Sequence, residues 1–196
     1  AVSGAEANFV STTASISDAT STIIDVGMIA YPFLYDFNND DVLDLVIGER
    51  NGNLNFYQNT GTASSFEFTL ITGSFGDVDV TESGNIVGQS IPFVFKDEFN
   101  KTQLFVGSER GEIHHYNNID NNLNGVFVEV DFNLANINVG KNSAISCADI
   151  NNDGKLEAVI GNIRGGLSLY SENSESTSPT GVSELEETSQ FEIYPN

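Results

Sequence analysis

The chain has 196 residues, which is enough for one hydrophobic core or for part of a larger repeat array. Its 28 acidic residues outnumber 7 basic ones, and the formal charge of −21 argues against nucleic acid or an anionic membrane surface as a partner. The 18 glycines, frequent asparagine and lack of tryptophan favour many short strands joined by tight turns.

The two ends of the sequence have no feature of a complete chain. Residue 1 is alanine rather than an initiator methionine, and no basic-then-apolar signal segment follows it. No apolar run is long enough for a transmembrane helix. We therefore expect a segment of a longer protein, with residues 8–12 as the fourth strand of a preceding structural unit.

Three segments of the sequence align without gaps around a glycine. Each contains an apolar stretch that ends at Gly48, Gly107 or Gly161, a second glycine four residues later and a tyrosine nine residues later. These glycines are 59 and 54 residues apart. A fixed spacing of this size is the signature of a repeat architecture. The aligned segments are 45–57, 104–116 and 158–170.

Each aligned segment is predicted to be a hairpin, with an apolar strand, a glycine turn and an alternating strand that ends at tyrosine. A further apolar strand is predicted upstream of every hairpin. A fourth strand is predicted downstream of the first two hairpins, whereas the third unit is predicted to lack its fourth strand. The upstream strands are 31–35, 91–95 and 144–148, and the downstream strands are 66–70 and 126–130.

Four antiparallel strands in roughly 55 residues correspond to one propeller blade. The sequence therefore predicts an all-β fold, a β-propeller of four-stranded antiparallel blades over residues 1–172. About three blades are present, and because propellers close with ~4–8 blades, we expect them to be part of a larger ring. A three-sheet β-solenoid or a sandwich is the alternative.

Two units carry a loop dense in side-chain oxygens between their first and second strands. Both loops begin twelve residues before the repeat glycine and place oxygen-bearing side chains at positions 1, 3, 5 and 9, while the backbone carbonyl at position 7 completes the set. The first set is Asp36, Asn38, Asp40, Val42 and Asp44, and the second is Asp149, Asn151, Asp153, Lys155 and Glu157.

Oxygen ligands in a flexible arrangement suit calcium, which takes ~6–8 of them. The absence of histidine and cysteine argues against zinc, and magnesium prefers fewer protein ligands in a stricter octahedron. The prediction is therefore two calcium sites. A turn rich in Asp and Asn that binds no metal is the alternative. Position 6 requires a sharp turn, which Gly154 adopts freely and Asp41 adopts with strain.

The middle unit serves as an internal control for the two loops. Counting back from its repeat glycine places Phe95, Asp97, Phe99 and Gln103 at the ligand positions. Two of the chain's few cationic residues, at 96 and 101, lie in the same segment. This set cannot bind calcium, and no metal is predicted there.

At these residues the sequence resembles the FG-GAP/VCBS repeats. The shared pattern is Asp-x-Asn-x-Asp-x-x-x-Asp/Glu, a short apolar strand, Gly-x-x-x-Gly and a strand that ends in Tyr, over residues 5–172. The resemblance implies a calcium-bearing β-propeller, as in integrin heads and many secreted bacterial proteins. The side chains of the two loops would then be the calcium ligands.

The carboxyl end of the sequence carries a second resemblance. Residues 173–190 are polar and are predicted to be a flexible linker. Residues 191–196, Phe-Glu-Ile-Tyr-Pro-Asn, are similar to the opening of a type IX secretion C-terminal sorting domain. That resemblance implies the type IX secretion machinery as a partner, and secretion to the medium or the outer-membrane surface of a Gram-negative bacterium.

The sequence carries no nucleophile elbow, metalloprotease motif or phosphate loop. His114 and His115 point to opposite faces of one strand and cannot line one site, and Cys147 is predicted to pack in the core. We therefore expect a surface adhesion or binding scaffold rather than an enzyme, with a surface glycan or a protein as ligand. A lectin-like propeller and the non-catalytic propeller of a larger polysaccharide-degrading enzyme are the alternatives.

Overall fold

The computed structural model describes residues 15–62, 64–172 and 182–184, and this part of the chain is all-β. Its strands form three four-stranded antiparallel sheets, each in the order of the sequence. The first sheet contains β1 (Tyr31–Tyr35), β2 (Asp44–Gly48), β3 (Leu54–Asn59) and β4 (Phe68–Thr72). The second contains β5 (Ile91–Lys96), β6 (Thr102–Gly107), β7 (Ile113–Asn117) and β8 (Val128–Asp131). The third contains β9 (Ala144–Ala148), β10 (Glu157–Gly161), β11 (Leu167–Glu172) and β12 (Val182–Glu184).

The three sheets share one register. In each of them the repeat glycine at the end of the second strand is paired with the first residue of the first strand. In the first two sheets, the pairing of the third and fourth strands shifts by one residue just before the tyrosine. Because the spacing of glycine and tyrosine is the same in all three units, these two residues occupy equivalent positions in the three sheets. The glycine pairs are Tyr31–Gly48, Ile91–Gly107 and Ala144–Gly161.

The strand predictions are confirmed for the first three strands of every sheet, and those for the fourth strands need correction. The predicted strands 66–70 and 126–130 lie about two residues before the observed β4 and β8. The prediction that the third unit lacks a fourth strand is wrong, because β12 pairs with β11 inside the predicted linker. Residues 8–12, the rest of 173–190 and residues 191–196 lie outside the described residues.

The first hydrophobic core lies between the first and second sheets. Val46, Leu54 and Phe56 of the first sheet and Leu104 and Val106 of the second are almost completely buried there. Within this core, Phe56 and three other phenylalanine rings contact one another with centroid separations of 4.3–5.4 Å. Aromatic packing of this kind stabilises the fold beyond the burial of apolar area. The four rings are Phe37, Phe56, Phe75 and Phe127.

The second core lies between the second and third sheets. Phe105 and Ile113 come from the face of the second sheet opposite to Leu104, and they pack with Ile145 and Ile160 of the third. The second sheet is therefore covered on both faces, and its two inner strands, β6 and β7, are buried along most of their length.

A third, smaller cluster covers the outer face of the first sheet. Leu45, Ile47 and Tyr57 are buried there beneath Ile24 and Val26, which precede β1. The first strands lie side by side, β1 against β5 and β5 against β9. No helix in the described part of the chain has the length and apolar character needed to cross a membrane.

Candidate calcium loops

The first loop joins β1 to β2 and is organised by side-chain oxygens that accept backbone N–H groups. Asp36 accepts the N–H of Asp40 at 3.1 Å on Oδ1 and that of Asp41 at 2.9 Å on Oδ2. The Oδ1 of Asn38 also accepts the N–H of Asp40, at 3.1 Å. The Oδ1 of Asp40 accepts the N–H of Val42, at 2.9 Å. These bonds draw positions 1, 3 and 5 of the loop toward one another.

The second loop joins β9 to β10 and repeats this network bond for bond. Asp149 accepts the N–H of Asp153 at 3.1 Å and that of Gly154 at 2.9 Å, on separate carboxylate oxygens. Asn151 accepts the N–H of Asp153 at 2.9 Å, and Asp153 accepts that of Lys155 at 2.9 Å. Two segments separated by a whole sheet therefore fold into the same turn.

The acid at position 9 begins the second strand and points back into the loop. The Oδ2 of Asp44 accepts the N–H of Phe37 at 3.2 Å, and the Oε2 of Glu157 accepts that of Ile150 at 2.9 Å. Asp44 is completely buried, and its Oδ1 accepts the N–H of Asn59 at 2.8 Å. The sequence reasoning missed the Asn59 contact, because a bond from β3 has no signature in the spacing of the loop.

The surroundings of Asp44 disfavour the ionised form of its carboxyl group. Burial raises the pKa of its carboxyl, and the charges of Asp40 and Asp36 add to the effect, although hydrogen bonds from Asn59 and Phe37 oppose it. Acidic groups that destabilise one another in this way gain from a bound cation.

The backbone of the two loops has the same unusual conformation at positions 4 and 6. Asn39 and Asn152 have φ of 59° and 61°, and Asp41 and Gly154 have φ of 65° and 85°. Asparagine and glycine tolerate this left-handed region, whereas aspartate adopts it at some cost. The predicted sharp turn at position 6 is therefore confirmed, together with the expected asymmetry between Asp41 and Gly154.

The amide groups of the loops hold the acids close together. The Nδ2 of Asn38 donates to Asp40 at 2.8 Å, and that of Asn151 donates to Asp153 at 3.1 Å and to Glu157 at 3.3 Å. Within residues 15–62, 64–172 and 182–184, three or more Asp, Glu, His or Cys side chains do not converge tightly enough to define a metal centre by themselves. A calcium ion at either loop would need asparagine oxygens and main-chain carbonyls as ligands beside the carboxylates.

The middle loop has a different architecture. Asp97 Oδ1 accepts the N–H groups of Phe99 and Lys101 at 2.9 and 2.8 Å, and its Oδ2 accepts Gln103 Nε2 at 2.7 Å. A single carboxylate therefore organises the turn. The Lys96 ammonium points away from it and donates to Asn39 of the first loop at 3.4 Å.

The histidine and cysteine side chains pack against, or hydrogen-bond to, neighbouring side chains and do not meet in one site. His114 bonds to Glu129 on one face of β7, whereas His115 is buried on the other, with Nε2 2.9 Å from Gln103 and its ring against Phe105. Burial lowers the pKa of His115 to about 4. Burial also raises the pKa of the Cys147 thiol to about 12, which makes it a poor nucleophile at neutral pH.

No protein-family model, curated protein or solved structure matches the chain. The chain's own residues form two equivalent oxygen-rich turns on a rigid all-β framework, with a third turn at the same place that lacks the oxygen set.

Proposed function

We propose that the chain is a calcium-stabilised β-propeller segment of a secreted or cell-surface bacterial protein, and that it serves as an adhesion or binding scaffold. The observation that carries this proposal is the identity of the hydrogen-bond networks in the two acidic loops. The middle loop, which has neither the residues nor the network, shows that the sheet can be built without such a loop. The acidic turns therefore serve something other than the fold of a single sheet.

Calcium fits the donor set of both loops. All candidate donors are oxygens, and three of the side-chain donors in each loop are carboxylates. One of those in the first loop, Asp44, is completely buried. A hard divalent cation relieves their repulsion without demanding strict geometry. The proposed ligands are Asp36, Asn38, Asp40 and Asp44 with the Val42 carbonyl, and Asp149, Asn151, Asp153 and Glu157 with the Lys155 carbonyl.

The propeller arrangement is supported by the way the sheets repeat. Each sheet has four antiparallel strands in sequence order, and the first strands lie side by side. In a propeller, equivalent strands of neighbouring blades line the central axis in this manner. Three sheets are fewer than the ~4–8 that close a ring, so further sheets are required.

A binding scaffold is favoured over an enzyme by the chemistry of the described residues. The two histidines lie on opposite faces of β7, the thiol is protonated, and the grouped carboxylates belong to the loops. Export rests on the motif at residues 191–196, which is the opening of a sorting domain by resemblance.

Calcium titration tests the metal proposal. At free calcium ~100-fold above the dissociation constant, one site adds about 2.7 kcal/mol to the free energy of unfolding, so the melting temperature should rise clearly over that of chelator-treated protein. The double variant Asp36→Ala, Asp149→Ala should lose this rise, and Asp97→Ala in the middle loop is the matched control that should keep it. Superimposable melts of verified metal-free and calcium-loaded protein would reject the calcium proposal.

Export is tested separately in the native host. Deletion of the chain from residue 191 onward should retain the protein inside the cell while leaving the sheets intact, because β12 is kept. Cell fractionation with an antibody to the sheets measures this. Normal amounts of the truncated protein at the surface or in the medium would contradict the role of residues 191–196.

A further inference from the structure

The first two sheets are joined by a small polar contact at the end of β2. The N–H of Glu49 donates to Ser90 Oγ at 2.9 Å, and the same hydroxyl donates to the Asn53 carbonyl at 2.6 Å. The N–H of Ser90 donates to the Glu49 carbonyl at 3.1 Å. A Cβ on Gly48 would lie 2.0 Å from the Ser90 carbonyl oxygen, so only glycine permits this approach. We call this contact the sheet joint.

The second and third sheets are held by the same sheet joint. Ser108 N–H donates to Ser143 Oγ at 3.0 Å, and that hydroxyl donates to the Glu112 carbonyl at 2.9 Å. The N–H of Ser143 donates to the Ser108 carbonyl at 3.1 Å, and a Cβ on Gly107 would lie 1.9 Å from the Ser143 carbonyl oxygen. One side of the joint is therefore a glycine turn, and the other is the segment that leads into the next first strand.

The third sheet has the glycine turn of a further joint, at residues 161–166. A Cβ on Gly161 would meet the Leu167 side chain at 3.5 Å, which is an ordinary contact, and its φ lies outside the left-handed region. Neither space nor backbone conformation within the described residues requires glycine here. The requirement arises when another segment docks as Ser90 and Ser143 do.

The apolar face beside this turn is exposed in the third sheet and buried in the other two. Leu167 is 76% exposed, whereas its counterparts Leu54 and Ile113 are completely buried. Leu169 is 46% exposed, whereas its counterpart Phe56 is 1% exposed. In each of the first two sheets this face is buried by the next sheet, so we expect another sheet to pack on the equivalent face of the third.

The other half of a joint lies at the amino end, in the segment that leads into β1. Ile29 has φ of 64°, as Gln89 and Asn142 have 51° and 58° at the same position before β5 and β9. Those two residues donate their N–H groups to the preceding turn, at the carbonyls of Arg50 and Glu109. A β-branched residue adopts this conformation only under constraint. The constraint comes from its own sheet, where the Arg50 N–H donates to the Met28 carbonyl at 3.0 Å. This bond holds the segment in the conformation that the two docked segments have.

We propose that two copies of the chain associate head to tail, with residues 27–30 of each copy docked on the turn at 161–166 and on Leu167 and Leu169 of the other. The Ile29 N–H would donate to the Ile163 carbonyl, which stands where the Arg50 carbonyl stands in the first sheet. Two joints related by a two-fold axis close on themselves, and six sheets lie within the ~4–8 of known propellers. The inference rests on the propeller arrangement proposed above.

The joint between copies would lack one feature of the internal joints. Position 30 is alanine where the internal joints have Ser90 and Ser143, so the hydroxyl that bonds twice to the turn is missing. Ala30→Ser should supply it and tighten the dimer by about fivefold, the equivalent of one net hydrogen bond. Leu167→Asp should raise the dimer dissociation constant roughly 100-fold, because it buries an unpaired charge.

Sedimentation velocity over a range of protein concentrations measures the association, with calcium present and at physiological ionic strength to limit repulsion between acidic chains. Phe132→Asp, at an exposed phenylalanine after β8, is the matched control and should leave the dissociation constant unchanged. A chain that stays monomeric, growth beyond the dimer, or a dimer indifferent to both Ala30→Ser and Leu167→Asp would overturn the proposal. A calcium-dependent melt of the same samples shows whether the proposed function survives such a result.

Discussion

The first and third sheets are built from the same pattern of residues, yet one is enclosed and the other is open. Both have the glycine turn, the tyrosine on the third strand and an acidic loop with one network of hydrogen bonds. On the face that each sheet turns away from the amino-terminal side of the array, Leu54 is buried beneath the second sheet, whereas Leu167 is exposed. The local pattern of residues therefore forms the sheet, and the presence of a neighbouring sheet determines whether its apolar face becomes a core.

The largest expected difference between these sheets is at equivalent leucines. Leu54→Ala should lower the free energy of unfolding by about 4 kcal/mol, because it leaves a cavity in a packed core. Leu167→Ala should change it by less than ~0.5 kcal/mol in the monomer, since that side chain is exposed. Urea denaturation of dilute protein measures both. Equal losses of stability would show that Leu167 is covered in the monomer and that the two sheets do not differ in burial.

Alanine substitutions at the repeat glycines should also differ in their effect on stability, and this difference should be slightly smaller than that between the leucines. Gly107→Ala should destabilise by about 3 kcal/mol, because its Cβ overlaps the Ser143 carbonyl and one of the two sheets must move. Gly161→Ala should be tolerated in the monomer, since its Cβ makes an ordinary contact. Thermal melts of the two variants compare them directly. A Gly161→Ala protein as unstable as Gly107→Ala would contradict the open joint.

The second sheet differs from both neighbours by carrying His115 where they have Phe56 and Leu169, and this predicts a pH dependence. The pKa of His115 is lowered by burial to about 4 from an ordinary value of 6.5, so the unfolded chain binds the proton first as the pH falls. The contribution of neutral His115 to the free energy of unfolding is fully present above pH ~6.5. It is lost as the pH falls to ~4, and the loss is on the order of 2–3 kcal/mol.

His115→Phe should remove this component and leave the slope that the carboxylates produce. The variant should therefore be less sensitive to pH between ~6.5 and ~4 than the parent, as measured by denaturation at a series of pH values. Parallel pH curves for parent and His115→Phe would show that the pKa of His115 is the same in the folded and the unfolded chain, and would contradict this prediction.

The smallest expected difference is between the two calcium loops. Asp41 adopts φ of 65° as a non-glycine residue at a cost of about 1 kcal/mol, and the Lys96 ammonium lies at Asn39 of the same loop. Although the Asp41 charge offsets part of this, the loop at 149–157 should bind calcium about fivefold more tightly.

Calorimetric titration of Asp36→Ala and Asp149→Ala isolates the two sites. The site that remains in Asp36→Ala should be the tighter one, and adding Asp41→Gly to the Asp149→Ala protein should narrow the gap. If the remaining site of Asp36→Ala is the weaker, the ranking is reversed and charge outweighs backbone strain.

Those parts of the fold that depend on neighbouring residues in the sequence could be predicted from it. Alternation and glycine turns located the first three strands of every sheet, because side-chain period and turn chemistry are local properties. The fourth strands were misplaced by two residues or, for β12, not expected at all. Val182–Glu184 lies in a polar stretch, and only the open edge of β11 makes it a strand.

For the candidate site, the oxygen donors and their spacing could be predicted without the structure, because both lie within nine consecutive residues. The structure adds what distant residues contribute, namely the Asn59 N–H on Asp44 and the Lys96 ammonium on Asn39. Which apolar faces are covered follows from the packing of whole sheets, because Leu54 and Leu167 belong to the same local pattern and differ in whether a neighbouring sheet removes them from water.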